Sequence, residues 1–577
     1  MALPLLAMAT LAVLVFGYFS YGRFVARQYA LSDAVATPAA LRNDGVDFLP
    51  TKPFYLLGQH FSAIAAAGPI VGPILACQQF GWLPCILWIG LGAVFIGAVH
   101  DLSALVASVR HGARSLAEIA KQNLSKRAWA SLLAFIWLSL LYVIVAFTDV
   151  TAGTFVGKIE ELGDKRVSFE RGGAVAFASA AYLALAVVMG FVQKKLSPPL
   201  WLATLIFVPA TLGVVWLGME QSHLLAMSGQ DAQRTWGLIL LAYCFVASLL
   251  PVSVLLQPRG YLGGFVLYLV LAVGVIGILF GGFPVEQDAF KGFTSPAGGP
   301  TANLFPYLFV TIACGACSGF HGLVCSGTTS KQIAKETHCR PVGYGAMLLE
   351  AFVALIALAT IMVVKTSPTA GVKPGAVYSE GIGRFVALLV GQEHLLFAIV
   401  FGAMAFSTFV FDTLDVATRL GRYVLQELFS APSRAAGAVA TFATVGVPAA
   451  FLLAAPLPEP GMPPAYMAYW TLFGTSNQLL AGLTLLSVSV WLHRRGRRCW
   501  FTLAPAAFVL SITVWSLGRQ IAAGLSSWGA SGFGPSAVNA LVALALVGLA
   551  TVFEWEAWSA ARRGPVPDAP VVEPPPA

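Results

Sequence analysis

The chain of 577 residues is 58% hydrophobic and only 10% charged, with a mean hydropathy of +0.79; soluble domains carry about a quarter charged residues, which excludes that class. A net charge of +8 could suit nucleic acid, but the 34 Lys and Arg sit in short clusters between apolar runs. That pattern belongs to a polytopic membrane protein, with the lipid bilayer and not nucleic acid as its partner.

Counting apolar runs near the ~20 residues needed to cross ~30 Å of hydrocarbon predicts fifteen spans. Their limits are 3–24, 58–79, 84–109, 128–152, 172–192, 198–218, 235–257, 261–283, 303–327, 341–364, 394–418, 435–455, 465–492, 500–517 and 536–557. The first run lacks a preceding basic region and a following small-residue cleavage site, so it reads as a span and not as a removed signal peptide. Most Lys and Arg fall in loops after odd-numbered spans: Arg110, Arg114, Lys121, Lys126 and Arg127, then Lys194 and Lys195, then Lys331, Lys335 and Arg340, then the cluster from Arg494 to Arg498. This predicts an N-terminus outside and a C-terminus inside. The longest connections, 25–57 and 365–393, leave no room for a soluble domain. The proline-rich tail 564–577 lacks any apolar period and reads as disordered.

Span two carries Gly68-Pro69 and Gly72-Pro73, a turn apart at mid-membrane. Each proline removes a backbone donor and crowds the preceding turn, so carbonyls near Ala65 to Pro69 should be freed. Span seven carries Pro251 at depth. An offset of five spans inverts orientation, and interrupted helices at matching positions point to a transporter site; repeats are therefore expected at 58–218 and 235–430. Span nine, from Asn303, fills with Gly315, Ser318, Gly319, His321, Gly322, Ser326, Gly327, Thr328 and Thr329. Glycines permit unwinding, and hydroxyls or an imidazole at membrane depth need a partner, a cavity or a ligand. This stretch reads as the wall of a binding site.

Acids inside spans cost at least ~2.5–3.5 kcal/mol each and point to function. Asp101 and Glu350 have no partner three or four residues away, so each must find one elsewhere, stay protonated or exchange protons. Asp412 and Asp415 lie nearer the inner surface, and Arg419 stands one helical turn from Asp415 as a ready ion-pair partner; structure and proton coupling are both open there. His60, His100 and His321 could share coupling, with His100 better explained as a satisfied core residue. Cys314, Cys317, His321 and Cys325 could be drawn as a metal or redox site, but buried cysteine commonly packs as a small hydrophobe. Asn477 and Gln478 line the cavity or bond between helices.

These motifs carry a resemblance. RNDGVDFLPTKPFYLLGQHFSAIAAAGPIVGPILA, WIGLGAVFIGAVHDLSALVASVRHGARSLAEIAK, QPRGYL, CGACSGFHGLVCSGTTSKQIAKE, GYGAMLLEAFVA, DTLDVATRLGRYVLQEL and LFGTSNQLLAG together resemble the carbon starvation (CstA) family of bacterial inner-membrane transporters, over nearly the whole chain. The resemblance implies proton-coupled uptake of small carbon sources on starvation, with short peptides and pyruvate as substrates, and inverted five-helix repeats. The chain departs from the family pattern at Gln59, where a histidine precedes His60, and at Cys317 and Cys325.

The expectation is an all-α polytopic secondary transporter and not an enzyme. A first helix and connection (1–57) precede a core (58–430), peripheral C-terminal helices (431–563) and the tail. Substrate would bind at His60, Gly68, Pro69, Gly72, Pro73, Ser318, Gly319, His321, Ser326, Thr328 and Thr329, and protons would couple through Asp101, Glu350 and Asp415. No cofactor is expected beyond the proton, with sodium as its alternative. A metal or redox protein, a channel and a nutrient receptor are the rivals. Substrate choice and oligomeric state are not legible.

Overall fold

The computed structural model describes residues 3–564, apart from 45–47, 66, 163–164, 251–254, 297–300, 366–372, 455–464 and 533. Pro251 and the tail beyond Gly564 lie outside the described residues. Among the described residues the secondary structure is helical apart from a two-stranded antiparallel hairpin, Ile159–Leu162 with Lys165–Phe169, in the connection between the fourth and fifth predicted spans.

Twelve helices among the described residues are long and apolar enough to cross a membrane: Leu3–Tyr29, Trp82–Arg110, Lys126–Thr154, Arg171–Leu196, Trp201–Glu220, Ala232–Leu249, Leu256–Phe280, Glu336–Met362, Gln392–Leu428, Arg434–Ala454, Trp500–Ala530 and Pro535–Ala561. They match every predicted span except the second, ninth and thirteenth, of which the second and ninth are interrupted helices. Span two is a bent pair, Pro53–Ile64 and Gly68–Phe80, whose axes turn by 50°. Pro69 and Pro73 lie at the start and inside of the second half, where missing amides cost least and most respectively. Span nine divides into Leu304–Thr311 and Gly319–Gly327. Span thirteen is one long helix, Ala465–Arg494, whose buried Thr475, Ser476, Asn477 and Gln478 dilute its apolarity.

The connection 365–393 departs from expectation: it contains a buried helix, Pro374–Val390. Its small residues explain the packing, since a side chain at Gly383 would meet Ile399 and one at Gly402 would meet Ser379. Charged Glu380 and Arg384, paired at 2.7 Å, kept it from registering as apolar. The helix lies against the first half of Gln392–Leu428, so it forms a hairpin with that span.

The loops after the first, third, ninth and thirteenth predicted spans meet one another. Arg110 Nη2 and Arg497 Nη1 both donate to the Tyr29 carbonyl, at 2.7 and 3.1 Å, and Arg494 Nη1 donates to the Asn123 carbonyl. Arg110 Nε also reaches Glu336 Oε1 at 2.6 Å. The same face holds a main-chain ladder: the amides of Leu49 and Thr51 donate to the carbonyls of Lys331 and Gln332, with a parallel bridge between Thr51 and Ile333. Beside it, the Thr337 hydroxyl donates to Asp33 Oδ1 at 2.6 Å and holds that carboxyl below its usual range.

Candidate functional site

The two broken segments cross each other. A side chain at Gly68 would strike Cys314 Sγ, one at Gly72 the Thr311 carbonyl oxygen, and one at Gly97 the Ala316 carbonyl oxygen. Glycine is needed at Gly72 and Gly97 for backbone to approach backbone, and at Gly68 to admit the Cys314 side chain. Both breaks have the same neighbour: a span that begins with, or contains, a π-helical turn, Ala93–Gly97 after the first break and Arg340–Gly345 after the second. Such turns are frequent at functional sites.

Each π turn is followed within about one further helical turn by an acid, Asp101 in one span and Glu350 in the other. Both are fully buried, and His321 stands between them. His321 Nδ1 lies 2.9 Å from Asp101 Oδ2, and Nε2 lies 2.9 Å from Glu350 Oε2. His100 Nδ1 meets the other Asp101 oxygen at 2.8 Å. The result is a continuous chain, His100–Asp101–His321–Glu350, assembled from three spans. It is incompletely partnered: the Glu350 contact is out of hydrogen-bond alignment, both Glu350 oxygens lack a donor, and His100 Nε2 lacks a partner. His100 is buried, as expected of a core residue, but one of its ring nitrogens is unsatisfied.

His60, on the first half of span two, joins through Thr329. Its Nδ1 lies 2.8 Å from the Thr329 hydroxyl, and Cys325 Sγ lies 3.7 Å from its Nε2. Gly68, Pro69, Gly72, Pro73, Ser318 and Gly319 are all buried at the crossing. Two predicted residues stand apart from that arrangement. Thr328 is exposed and its hydroxyl donates back to the Val324 carbonyl, since helix Gly319–Gly327 ends there and turns the side chain outward. Ser326 is buried but donates to its own helix at Gly322. We expect Thr328→Ala to leave solute uptake unchanged, whereas Ser318→Ala should reduce it; equal loss in both would remove the distinction.

At the second break, side chains of neighbouring helices take up the freed carbonyls. Trp88 Nε1 donates to the Ile312 carbonyl at 3.2 Å, Trp470 Nε1 to Thr311 at 3.3 Å and Gln478 Nε2 to Phe309 at 2.8 Å. On the other side of the break, Asn477 Oδ1 accepts from the Phe320 amide at 2.9 Å, and its Nδ2 donates to Ser318 Oγ at 3.0 Å. Asn477 thus caps helix Gly319–Gly327 from a neighbouring helix, doing what an N-cap residue does locally. Asn477→Leu should destabilise the protein by about 1–3 kcal/mol, the cost of orphaning buried polar groups, seen as a lower Tm of the detergent-purified chain.

The cysteines considered together from the sequence face different groups. Cys314 faces Asn477, and Cys325 faces His60 and the Asp101 carbonyl. Among the described residues no three His, Cys, Asp or Glu groups converge as metal ligands.

Asp415 corrects the sequence reading most directly. Its predicted partner Arg419 turns away, donating to the carbonyls of Ala247 and Leu250. Asp415 instead meets Arg259 Nη1, and Oδ2 accepts from the Tyr243 hydroxyl at 2.9 Å. Arg259 Nε also lies 3.0 Å from Asp412 Oδ1. The arginine, fully buried near the start of Leu256–Phe280, escaped notice because QPRGYL looks like a span edge; the signal was an arginine inside an otherwise uncharged helix.

The chain matches the family model described as Carbon starvation protein CstA over residues 2–380 and 369–516. It is 31% identical to the Peptide transporter CstA of Helicobacter pylori (strain ATCC 700392 / 26695), covering 89% of this chain and 81% of that protein. It is 29% identical to the Pyruvate/proton symporter BtsT of Escherichia coli (strain K12), over 89% of this chain and 81% of that protein. Among solved structures, a manganese transporter mutant from Eremococcus coleocola aligns with 88% of this chain and 96% of its own, at 13% identity and a TM-score of 0.42, too low to carry weight. Family match, relatives of nearly equal extent and a helical body of membrane-length segments agree: the chain belongs to the carbon starvation protein CstA family and is a multi-pass membrane transporter, not an enzyme.

Proposed function

We propose that this transporter imports a small carboxylate-bearing nutrient, a short peptide or pyruvate, across the bacterial inner membrane in symport with protons. The observation that carries the proposal is His321 held between Asp101 and Glu350. An ionised carboxylate can only accept a hydrogen bond, while a neutral imidazole donates at one nitrogen and accepts at the other. With an acid 2.9 Å from each ring nitrogen, both contacts are favourable only if the ring is an imidazolium or one carboxyl is protonated. A proton can sit on the ring or on a carboxyl with the same heavy atoms in place, which is what a relay needs.

The relatives' printed names supply the two substrate candidates, and both carry a carboxylate. The substrate would contact the crossing at Gly68 to Pro73 and Ser318 to Thr329, with His60 and His321 beside it. No cofactor enters this scheme; sodium is the alternative coupling ion. Architecture fits the same reading. We place fifteen crossings with the basic face in the cytoplasm, the N-terminus outside and a core spanning 58–430. The inverted units are better matched on spans two and three with nine and ten than on two and seven. An offset of seven is also odd, so it also inverts orientation, and it pairs break with break, π turn with π turn and Asp101 with Glu350.

The test is uptake of labelled pyruvate and of a labelled dipeptide into proteoliposomes, with and without an inward proton gradient. Saturable accumulation driven by the gradient is the expected result for one of them. Accumulation of neither, in sealed vesicles containing folded protein, would refute the proposed solutes and coupling.

A further inference from the structure

The two spans that carry the acids beside His321 are tied to each other at both ends. On the side of the basic loops, Arg110 Nε of one reaches Glu336 Oε1 of the other at 2.6 Å. At their remote ends, Trp82 and Met362, the tie runs through the connection between Phe280 and Leu304. The amides of Trp82 and Leu83 donate to the carbonyls of Asp288 and Ala289 at 3.2 and 2.9 Å, and the Lys291 amide donates to the Phe80 carbonyl at 3.1 Å. Just before them, the Glu286 amide donates to the Met362 carbonyl at 2.7 Å, and Gln287 Nε2 donates to the Val364 carbonyl at 3.1 Å. One short strap, residues 286–291, therefore grips the start of the Asp101 span and the end of the Glu350 span at once.

The strap is a surface segment: Glu286, Asp288 and Ala289 are exposed. A main-chain bond that ruptures there is replaced by bonds to water at small net cost, which suits the tie to release. It also carries a charged anchor. Lys291 Nζ donates to the Gln78 carbonyl at 3.1 Å and to Gln287 Oε1 at 3.0 Å. That places a cation at the C-terminal end of Gly68–Phe80, where the helix dipole favours it. Through Gln287 the same ammonium is linked to the Glu350 span. The contact depends on Gly81, whose φ is +89° and where a Cβ would lie 2.6 Å from the Ala289 carbonyl oxygen and 2.7 Å from that of Asp288.

We propose that residues 286–291 form a releasable clasp with Lys291 as its latch. Closed, the clasp holds the remote ends of the Asp101 and Glu350 spans together and keeps the crossing of the broken helices shut on that side. Released, it lets those ends part, and solute reaches the crossing from the side away from the basic loops. The clasp requires a transporter but neither a particular solute nor proton coupling, so it stands or falls apart from the uptake proposal.

Cys85 is a native reporter of the clasp: it is fully buried, and its thiol donates to the Gly81 carbonyl at 3.1 Å. The full-length chain in detergent is treated with N-ethylmaleimide, and mass spectrometry follows the adduct at each cysteine with time. Lys291→Met keeps the apolar stem and removes the charge. It is expected to speed labelling of Cys85 about tenfold, the effect of losing one hydrogen bond from a charged donor. Cys244, fully buried in Ala232–Leu249, should keep its rate. No acceleration at Cys85, or equal acceleration at both, overturns the proposal. A second arm locks the clasp with the exposed pair Leu83→Cys and Ala289→Cys. In proteoliposomes, oxidation of that pair should stop exchange of labelled pyruvate or dipeptide, and dithiothreitol should restore it; unchanged exchange in the oxidised protein also overturns the clasp. Should the reduced pair carry neither solute, the uptake proposal fails and the Cys85 rates decide the clasp; should Lys291→Met not fold, the oxidised pair decides it.

Discussion

Replacing Glu350 with Gln is expected to abolish gradient-driven accumulation, down to the level of protein-free vesicles, while exchange of labelled for unlabelled solute continues. The substitution keeps the shape of the side chain and removes its capacity to take and give a proton. His321 then faces one carboxylate, Asp101, and the relay ends at the ring. Asp101→Asn should have the same outcome from the other end, with the added loss of one of the two carboxylate oxygens that orient His100 and His321. Exchange separates coupling from binding, because solute can swap across the membrane without net proton movement. Loss of exchange together with accumulation, in protein that elutes as folded, would place these acids in solute binding instead. His321→Ala, by contrast, is expected to weaken solute binding itself.

Arg259→Met should produce the largest loss of stability of any single change in the chain. It leaves Asp415 buried with no cation beside it, and breaking a buried ion pair from one side costs about 3–5 kcal/mol. Thermal unfolding of the detergent-purified protein would show it as a large drop in Tm or as failure to accumulate in the membrane. The double change Arg259→Met with Asp415→Asn should recover most of that loss, since the uncompensated charge is gone. Absence of recovery would mean that packing of the guanidinium against Phe411, 5.4 Å from the ring centroid, outweighs the charge. Arg259→Lys should restore little, because an ammonium lacks the fork that reaches Asp412 and Asp415 together.

The sequence exposed the features that follow from one-dimensional chemistry. Gly-Pro pairs announced the bend in span two, and glycines and hydroxyls at membrane depth announced the break in span nine. Isolated acids announced Asp101 and Glu350. What remained hidden depends on pairing across helices. Nothing in the order of residues says that His321 lies between Asp101 and Glu350, or that Arg259 rather than Arg419 takes Asp415. The local rule favoured Arg419 because residues one turn apart are neighbours on a helix; tertiary packing turned that arginine to the end of Ala232–Leu249. The Pro374–Val390 helix was missed because its Glu380–Arg384 pair neutralises itself in a way that hydropathy does not count. Thr328 was included because it shares a motif with Thr329, although one residue of helix rotation separates a bond to His60 from an outward-facing hydroxyl.

The ladder between residues 49–51 and 331–333 has a mechanical consequence. The first half of span two begins at Pro53, directly after one rail, and the second half of span nine ends at Gly327, just before the other. The two interrupted helices are thereby yoked at their ends on the basic face. Neither can slide along the other there without first rupturing main-chain hydrogen bonds. Opening on that side must swing both half-helices as one lever, with the breaks that follow Ile64 and Thr311 as its hinges.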